Sequence, residues 1–179
     1  MTKATYKDTD EANMLPLVYE QRINREQTNR AYDLAISNAE TIETAYIAHE
    51  WLSEKFYRRN GNKLNSEARA LLRDLGWDGD NEDDTLLEVK DRMIKTPLEV
   101  TVLGEKVNDR WDVTGAIFLL HTGGPAVRIV ASNHDGYETV SNTTLECQDW
   151  FTQWEPVTVT DQQQAALEWF VSLFYIGEE

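Results

Sequence analysis

The first half of the chain has its apolar residues at helical spacing. A first helix is predicted over about residues 21–36. A second begins at Asn38 or Thr41, either of which can cap it, and ends at residues 58–61 (Arg-Arg-Asn-Gly), a composition typical of a helix end. Two shorter amphipathic helices are predicted over 66–75 and about 84–95. In the helix over about 84–95, the residues expected on the inner side are Leu86, Leu87, Val89, Met93 and Ile94.

The second half changes to the two-residue period of strands. Residues 98–103 alternate and end at Gly104, 116–120 are continuously apolar, and 126–132 and 137–149 have strand character. Turn residues fill 122–125 and 133–136. A final helix is predicted over 162–175, capped by Asp161. The sequence therefore predicts an α+β fold: an N-terminal helical lobe over 1–95, then over 96–179 a mostly antiparallel β-sheet with a C-terminal helix packed on it.

The chain is strongly acidic, and the surplus of acids is uneven. Among 179 residues, 32 acidic and 17 basic side chains give a formal net charge of −15. Residues 1–95 hold 19 acids and 14 bases, whereas 96–179 hold 13 acids and 3 bases. Binding to DNA, RNA or an anionic membrane needs clustered lysine and arginine, so this composition argues against direct nucleic-acid and membrane partners.

The N-terminal residues lack the apolar segment of a signal peptide, and no run approaches the roughly 18 apolar residues that span a bilayer. We therefore expect a soluble cytoplasmic protein. A single cysteine, Cys147, excludes an internal disulfide and any zinc site built from several cysteines.

The densest charge cluster is the segment 78–84, which contains no basic residue. Its acids are Asp78, Asp80, Glu82, Asp83 and Asp84. The segment begins like a calcium loop but lacks the glycine at its sixth position and the glutamate at its twelfth, so no metal site is predicted. Two interpretations are left: a solvated loop whose last acids stabilise the start of the next helix, or an anionic patch that faces a partner.

Few residues offer catalytic chemistry. Residues 122–125 (Thr-Gly-Gly-Pro) could form an anion-binding nest, but the lysine and helix of a P-loop are missing, which favours a tight turn. The histidines lack the spacing of a metal site, and His49 falls on the apolar side of its helix. His121, Cys147 and Asp149 could form a nucleophile set, although a strand cysteine is more often a small buried residue. No catalytic residue and no cofactor is assigned.

A second candidate contact site follows the last predicted strand. It consists of Asp149, Trp150, Trp154 and Glu155. Two tryptophans four residues apart, flanked by acids and amides, can present a flat amphipathic surface of the kind found at interface hot spots. The alternative is that both rings close the edge of the sheet under the C-terminal helix.

Three stretches of the C-terminal half form a recognisable pattern: 122–129 (Thr-Gly-Gly-Pro-Ala-Val-Arg-Ile), 148–150 (Gln-Asp-Trp) followed by Trp154, and 174–178 (Phe-Tyr-Ile-Gly-Glu). This pattern is similar to that of a group of small uncharacterised proteins carried by phages and plasmids. The chain departs from it at 131–132, where glycine and an acid are frequent in the group, and at Phe151, where glycine is frequent. The resemblance implies a role in host takeover or counter-defence and implies no particular reaction.

Charge and resemblance together predict a phage or mobile-element inhibitor of the anti-CRISPR or anti-restriction kind, more consistent with a binding protein than an enzyme. It would occupy a basic nucleic-acid-binding surface of a host protein or ribonucleoprotein by placing carboxylates where duplex phosphates lie, as a DNA mimic. The predicted contact residues are Asp78, Asp80, Glu82, Asp83, Asp84, Asp149, Trp150, Trp154 and Glu155.

Two alternatives stay open at this point. One is an enzyme that modifies a defence component or signal through His121, Cys147 or Asp149. The other is a phage structural or regulatory module that forms a homodimer through its C-terminal helix and whose acidity serves only solubility.

Overall fold

A computed structural model describes the backbone of residues 16–53, 64–79, 81–132, 142–150, 152–174 and 176, and their side chains from Arg30 onward. Within these residues the helices are α1 (Pro16–Ser53), α2 (Ser66–Asp74), α3 (Glu82–Ile94) and α4 (Asp161–Ser172). The strands are β1 (Glu99–Val107), β2 (Arg110–His121), β3 (Ala126–Ser132), β4 (Asn142–Gln148) and β5 (Glu155–Pro156). They form one antiparallel sheet in the order β1-β2-β3-β4-β5, and the fold is α+β, as predicted.

Helix α1 connects the helical part to the sheet. It contacts α2, α3 and α4 as well as strands β3 and β4. Close packing on several sides needs small side chains, and the buried residues of α1 include Ala31, Ala35, Ala39, Ala45 and Ala48. Residues from both halves of the chain therefore belong to one buried cluster. The boundary predicted at 95/96 coincides with the change from helices to strands, and the division into two domains stays a prediction.

The sheet has an inner face covered by helices and an outer face without one among the described elements. Side chains on the inner face are buried, including Phe118, Ile129, Leu145 and Cys147. Phe118 meets two rings from α4 and the residues after it, with centroid distances of 5.8 Å to Phe170 and 4.8 Å to Phe174. Outer-face residues such as Ile117, Arg128, Val130 and Glu146 are half-buried.

Strands β1 and β2 form a long hairpin. Its turn consists of Asn108 and Asp109, whose positive φ angles of 48° and 66° match a type I′ turn. Leu103 pairs with Gly115 but Gly104 pairs with Val113, so one extra residue of β2 forms a bulge. Gly104 was predicted to end the strand. That prediction was wrong, because the ladder continues past it to Val107.

Two further predictions need correction at helix ends. The two N-terminal helices form the single helix α1, since Asn38 Nδ2 donates to the carbonyl of Leu34 (2.8 Å) and Thr41 Oγ1 donates to that of Ser37 (2.9 Å), both inside the helix. Helix α4 is capped by Thr160, which forms a capping box with Gln163. The predicted helix end at 58–61 and the turn at 133–136 lie outside the described residues.

Candidate interaction surface

Helix α3 packs on α1 with one side and exposes the other. Its buried residues Thr85, Val89 and Met93 are spaced four apart and therefore share one side of the helix. Residues of the opposite side are exposed and include four acids. We call this set the α3 surface: Asp83, Asp84, Leu87, Glu88, Asp91 and Ile94.

The apolar members of the α3 surface contradict the predicted inner side of this helix. Leu87 is 61% exposed and Ile94 is 42% exposed. Both were predicted to point inward because they are apolar, but the side that packs is the one that carries Thr85, Val89 and Met93. The Thr85 hydroxyl can be buried because it donates to the carbonyl of Asn81 at 2.9 Å.

A cavity of about 320 Å³ adjoins the α3 surface, between α1, α3 and α4. Leu87 and Ile94 line one side of it, with His49, Lys90 and Trp169 among the other lining residues. The Trp169 ring lies 5.1 Å from the His49 ring between centroids. Lys90 is half-buried and has no ion-pair partner among the described residues. The cavity therefore combines an aromatic wall and aliphatic rims with one cation, Lys90, and one carboxylate, Asp91.

His49 is neutral at physiological pH. Burial lowers its pKa below the ordinary value of 6.5, and the nearby Lys90 ammonium lowers it further, while Glu50 acts in the opposite direction. His49 Nδ1 lies 3.4 Å from Glu50 Oε1, but it is buried and lacks a partner in hydrogen-bond geometry. Burial and the Lys90 charge therefore outweigh the Glu50 carboxylate, and the pKa of His49 stays below its ordinary value.

The acidic segment before α3 is a folded turn. Asn81 Oδ1 accepts from the backbone N–H of Asp78 (3.3 Å), and Asn81 Nδ2 donates to the carbonyl of Gly76 (3.5 Å). Asp78 is exposed, Glu82 is half-buried, and Asp80 lies outside the described residues. The last acids of the segment, Asp83 and Asp84, are exposed in the first turn of α3, where they also interact favourably with the helix dipole.

The second predicted contact site is a turn at one end of the sheet. Asp149 is 6% exposed, and its carboxylate accepts from the Trp150 N–H at 2.6 Å, so this acid holds the turn and is withdrawn from the surface. The Trp150 side chain is 54% exposed and lies over the turn between β2 and β3, where its Nε1 would be 3.0 Å from a Cβ placed on Gly124. Glu155 is exposed.

Trp154 belongs to an ordered cluster on the outer face. The Arg128 guanidinium lies 4.1 Å from the centroid of the Trp154 ring, and its Nε and Nη2 each lie 2.7 Å from Glu146 Oε2. Stacking and ion pairing on the same guanidinium fix both side chains. The half-buried Trp154 is thus occupied within the molecule, whereas Trp150 presents a ring to solvent. The two motifs noted in the sequence, at 122–129 and 148–154, pack against each other.

The catalytic alternative gains little from this geometry. Cys147 lies in β4 opposite Val127 of β3, which is in turn opposite the exposed His121 of β2, so two strand spacings of about 4.8 Å separate their backbones. Burial raises the pKa of the Cys147 thiol, and the negative charges of Glu155 and Asp149 raise it further. A thiol in this environment is not activated as a nucleophile.

Within the described residues, no group of three or more histidine, cysteine, aspartate or glutamate side chains could hold a metal ion. The described helices also include none with the length and apolar character needed to cross a membrane. The described strands form one antiparallel sheet of five, and α1 and α4 pack on one face of it. Comparison with known proteins assigns no family, since no family model, no curated protein and no solved structure matches the chain.

Proposed function

We propose that this protein is a phage- or mobile-element-borne inhibitor that acts by binding, and that the α3 surface is its contact with a basic, nucleic-acid-binding surface of a host defence complex. One observation carries the proposal: four exposed carboxylates surround two exposed apolar side chains beside a cavity. Interfaces with strong anchors combine a desolvated apolar centre with charged groups around it. A partner with arginine and lysine around an apolar side chain is complementary to this surface.

The spacing of the carboxylates on the α3 surface is close to the spacing of phosphates in a nucleic acid strand. From Asp83 to Asp91 the helix axis advances about 12 Å, at 1.5 Å per residue. Four carboxylates over this length, those of Asp83, Asp84, Glu88 and Asp91, are spaced at about one per 4 Å. The half-buried Lys90 lies within the same span, so its four acids and one base give a net charge of −3. One strand of duplex DNA carries about one phosphate per 3.4 Å. A groove that accepts a phosphate strand could therefore accept this helix.

These carboxylates are available to a partner. Asp83, Asp84 and Glu88 have no hydrogen bond or ion pair with another described residue. Asp91 lies 3.5 Å from Lys95, but both side chains are exposed, and such pairs contribute little energy that a partner would have to replace.

The proposal retains part of the contact set predicted from the sequence. Asp83 and Asp84 belong to the α3 surface, and Trp150 and Glu155 are exposed at other places on the molecule. Asp149 and Trp154 are left out because both are engaged within the molecule. The phage and plasmid resemblance of the C-terminal half supports a host cytoplasm as the place of action and a defence complex as the target.

The first experiment identifies the partner and then measures salt dependence. The tagged protein is used to capture host proteins, and the dissociation constant for each purified candidate is measured between low and high salt. Charge mimicry predicts that affinity falls steeply as salt rises and that DNA or RNA competes for the same surface. An affinity that stays flat with salt, or a complex that still binds nucleic acid normally, would refute the proposal.

A charge-reversal variant tests the α3 surface itself. E88K/D91K should weaken binding at least about tenfold, because it places like charges against the basic partner. Asp91 lies in the last turn of α3, where a cation suits the helix dipole, and Glu88 is exposed in the middle of the helix. Circular dichroism should confirm that the variant is folded. D33K/E40K, at exposed positions of α1, changes the net charge equally and is the matched control. Equal effects of the two variants would show that only net charge matters and that the α3 surface is not the contact.

A further inference from the structure

Strand β1 is an edge of the sheet, and no described strand pairs with its free side. Eight of its nine residues are exposed, and Leu103 is half-buried. Natural edge strands are usually kept short or protected by proline, by lysines or by a bulge. Strand β1 is nine residues long and contains no proline, its charged residues Glu99, Glu105 and Lys106 lie toward its two ends, and the extra residue of the hairpin bulge lies in β2. The edge is therefore open to pairing with another strand.

The direction of the backbone groups follows from the hairpin. In a two-residue type I′ hairpin the closing pair, here Val107 and Arg110, exchanges both of its backbone hydrogen bonds. Alternate residues of β1 then point toward β2, while Val100 and Val102 point their N–H and C=O groups away from the sheet. The carbonyl of Leu119, opposite Glu99, accepts from the backbone N–H of Leu98 (2.7 Å), which agrees with this alternation.

The side chains at this edge are apolar on one face. Val100 is 40% exposed and Val102 is 54% exposed, and they lie on the inner-face side of the strand beside Phe118 and Ala116 of β2. Thr101 lies between them on the outer-face side. Exposed valines next to unpaired backbone groups are a combination that another strand would cover.

The sequence of β1 is complementary to itself in one antiparallel register. A two-fold axis at Val102 would place Glu99 opposite Glu105 of a second copy, and like charges directly opposite are destabilising. An axis at Thr101 places Val100 opposite Val102 of the other copy and Glu99 opposite its Leu103, with no like charges opposed.

An axis at Leu103 is the remaining register near the centre of the strand. It also places no like charges opposite one another. However, Val100 then lies opposite Lys106 of the second copy and Val102 opposite its Gly104, so the valine pairs are lost. The register at Thr101 is therefore the one that satisfies both the charges and the apolar side chains.

We propose that β1 pairs antiparallel with β1 of a second copy of this chain, about a two-fold axis at Thr101, and joins the two sheets into one of ten strands. In this arrangement Val100 and Val102 exchange both backbone hydrogen bonds across the axis. The pairing does not depend on the function proposed above and has the opposite response to salt. Two copies at −15 each repel one another, so screening by salt strengthens the dimer, whereas it weakens a contact between the α3 surface and a basic partner.

A cysteine scan tests the register on the full chain. In the proposed pairing the two Thr101 residues form a non-hydrogen-bonded pair with Cα atoms about 4.5 Å apart, within the range of a disulfide. T101C should therefore form a covalent dimer under mild oxidation. In the matched control L103C the two thiols are offset by four residues, roughly 13 Å, and should not cross-link. The native Cys147 is buried and does not interfere. Cross-linking by L103C and not by T101C would overturn the register.

A pair of charge variants tests whether the partner is a second copy. V100K/V102K and V100E/V102E each place like charges opposite one another, so each alone should dimerise at least about tenfold more weakly than the native chain. Mixed in equal amounts they should form a heterodimer, measured by sedimentation equilibrium, with circular dichroism confirming that both are folded. A native chain that stays monomeric at high salt and high concentration, or a mixture that stays monomeric, would overturn the proposal; either result would indicate that β1 accepts a strand of another protein or none.

Discussion

Replacement of Gly115 by alanine is expected to destabilise the protein because this position has no room for a side chain. Gly115 is buried in β2 opposite Ser132 of β3. A Cβ placed there would lie closer than 3.0 Å to the carbonyl oxygen of Ala131 and 3.2 Å from the Cα of Ser132. Both neighbours are backbone atoms, so relief requires the two strands to separate.

The magnitude follows from the two consequences of that separation. Overpacking a tight site costs about 1–3 kcal/mol, and each ladder hydrogen bond that lengthens contributes about 0.5–1.5 kcal/mol more. A loss of about 3 kcal/mol should lower the melting temperature by about 6–12 °C in a domain of this size. Denaturant unfolding followed by tryptophan fluorescence and a thermal melt by circular dichroism would both report it.

Gly104 offers the matched control for this prediction. It lies in the same hairpin, where an added Cβ would be 3.0 Å from the carbonyl oxygen of Asp112 but at an exposed edge that can shift. Gly104→Ala should therefore change stability by less than about 1 kcal/mol, helped by the lower entropy of the unfolded chain. If Gly115→Ala melted within a degree of the native protein, the close pairing of β2 and β3 at this point would be wrong.

Three further predictions concern the core, a helix cap and pH. Phe170→Ala removes a fully buried ring from the Phe118 cluster and should cost about 3–5 kcal/mol in denaturant unfolding. Thr160→Ala removes the capping box of α4 and should cost about 1 kcal/mol, with Thr160→Ser restoring most of it. Because the pKa of His49 is lower in the folded protein than its ordinary value of 6.5, its contribution to stability is fully present above pH 6.5 and is lost as the pH falls through the folded pKa. His49→Leu should reduce this loss between pH 7.5 and 5.5, and an unchanged slope would assign the loss to other groups.

The period of the apolar residues predicted most of the elements. The alternating and continuous runs of the second half correspond to β2, β3 and β4, and the helical spacing of the last segment corresponds to α4. The N-terminal helices were divided wrongly because Asn38 and Thr41 are residues typical of caps. Inside a helix the same side chains can bond to carbonyls one turn earlier, and tertiary packing of the alanine side of α1 decides between the two outcomes.

The candidate site was less predictable because apolar character does not fix which side of a helix packs. Leu87 and Ile94 are exposed while Thr85 is buried, because the packed side is the one that also carries Val89 and Met93. The Thr85 hydroxyl is satisfied there by its hydrogen bond to the carbonyl of Asn81. Glu88 and Asp91 were not predicted for a related reason: they alternate with apolar residues and with Lys90 and Arg92, and only the helix brings them to the same side as Asp83 and Asp84. The hairpin turn was missed because Asn108-Asp109 lacks the glycine that usually marks a type I′ turn.

The single cysteine, Cys147, can be used to measure how often the sheet and the helices that cover it separate. Cys147 is 3% exposed on the inner face of β4, beneath α1 and α4, so a thiol reagent can reach its sulfur only after helix and strand part. When the opened structure closes faster than the reagent reacts, the ratio of the observed labelling rate to that of an exposed thiol gives the free energy of opening. Comparing it with the free energy of global unfolding would show whether the layers come apart by themselves or only when the whole molecule unfolds.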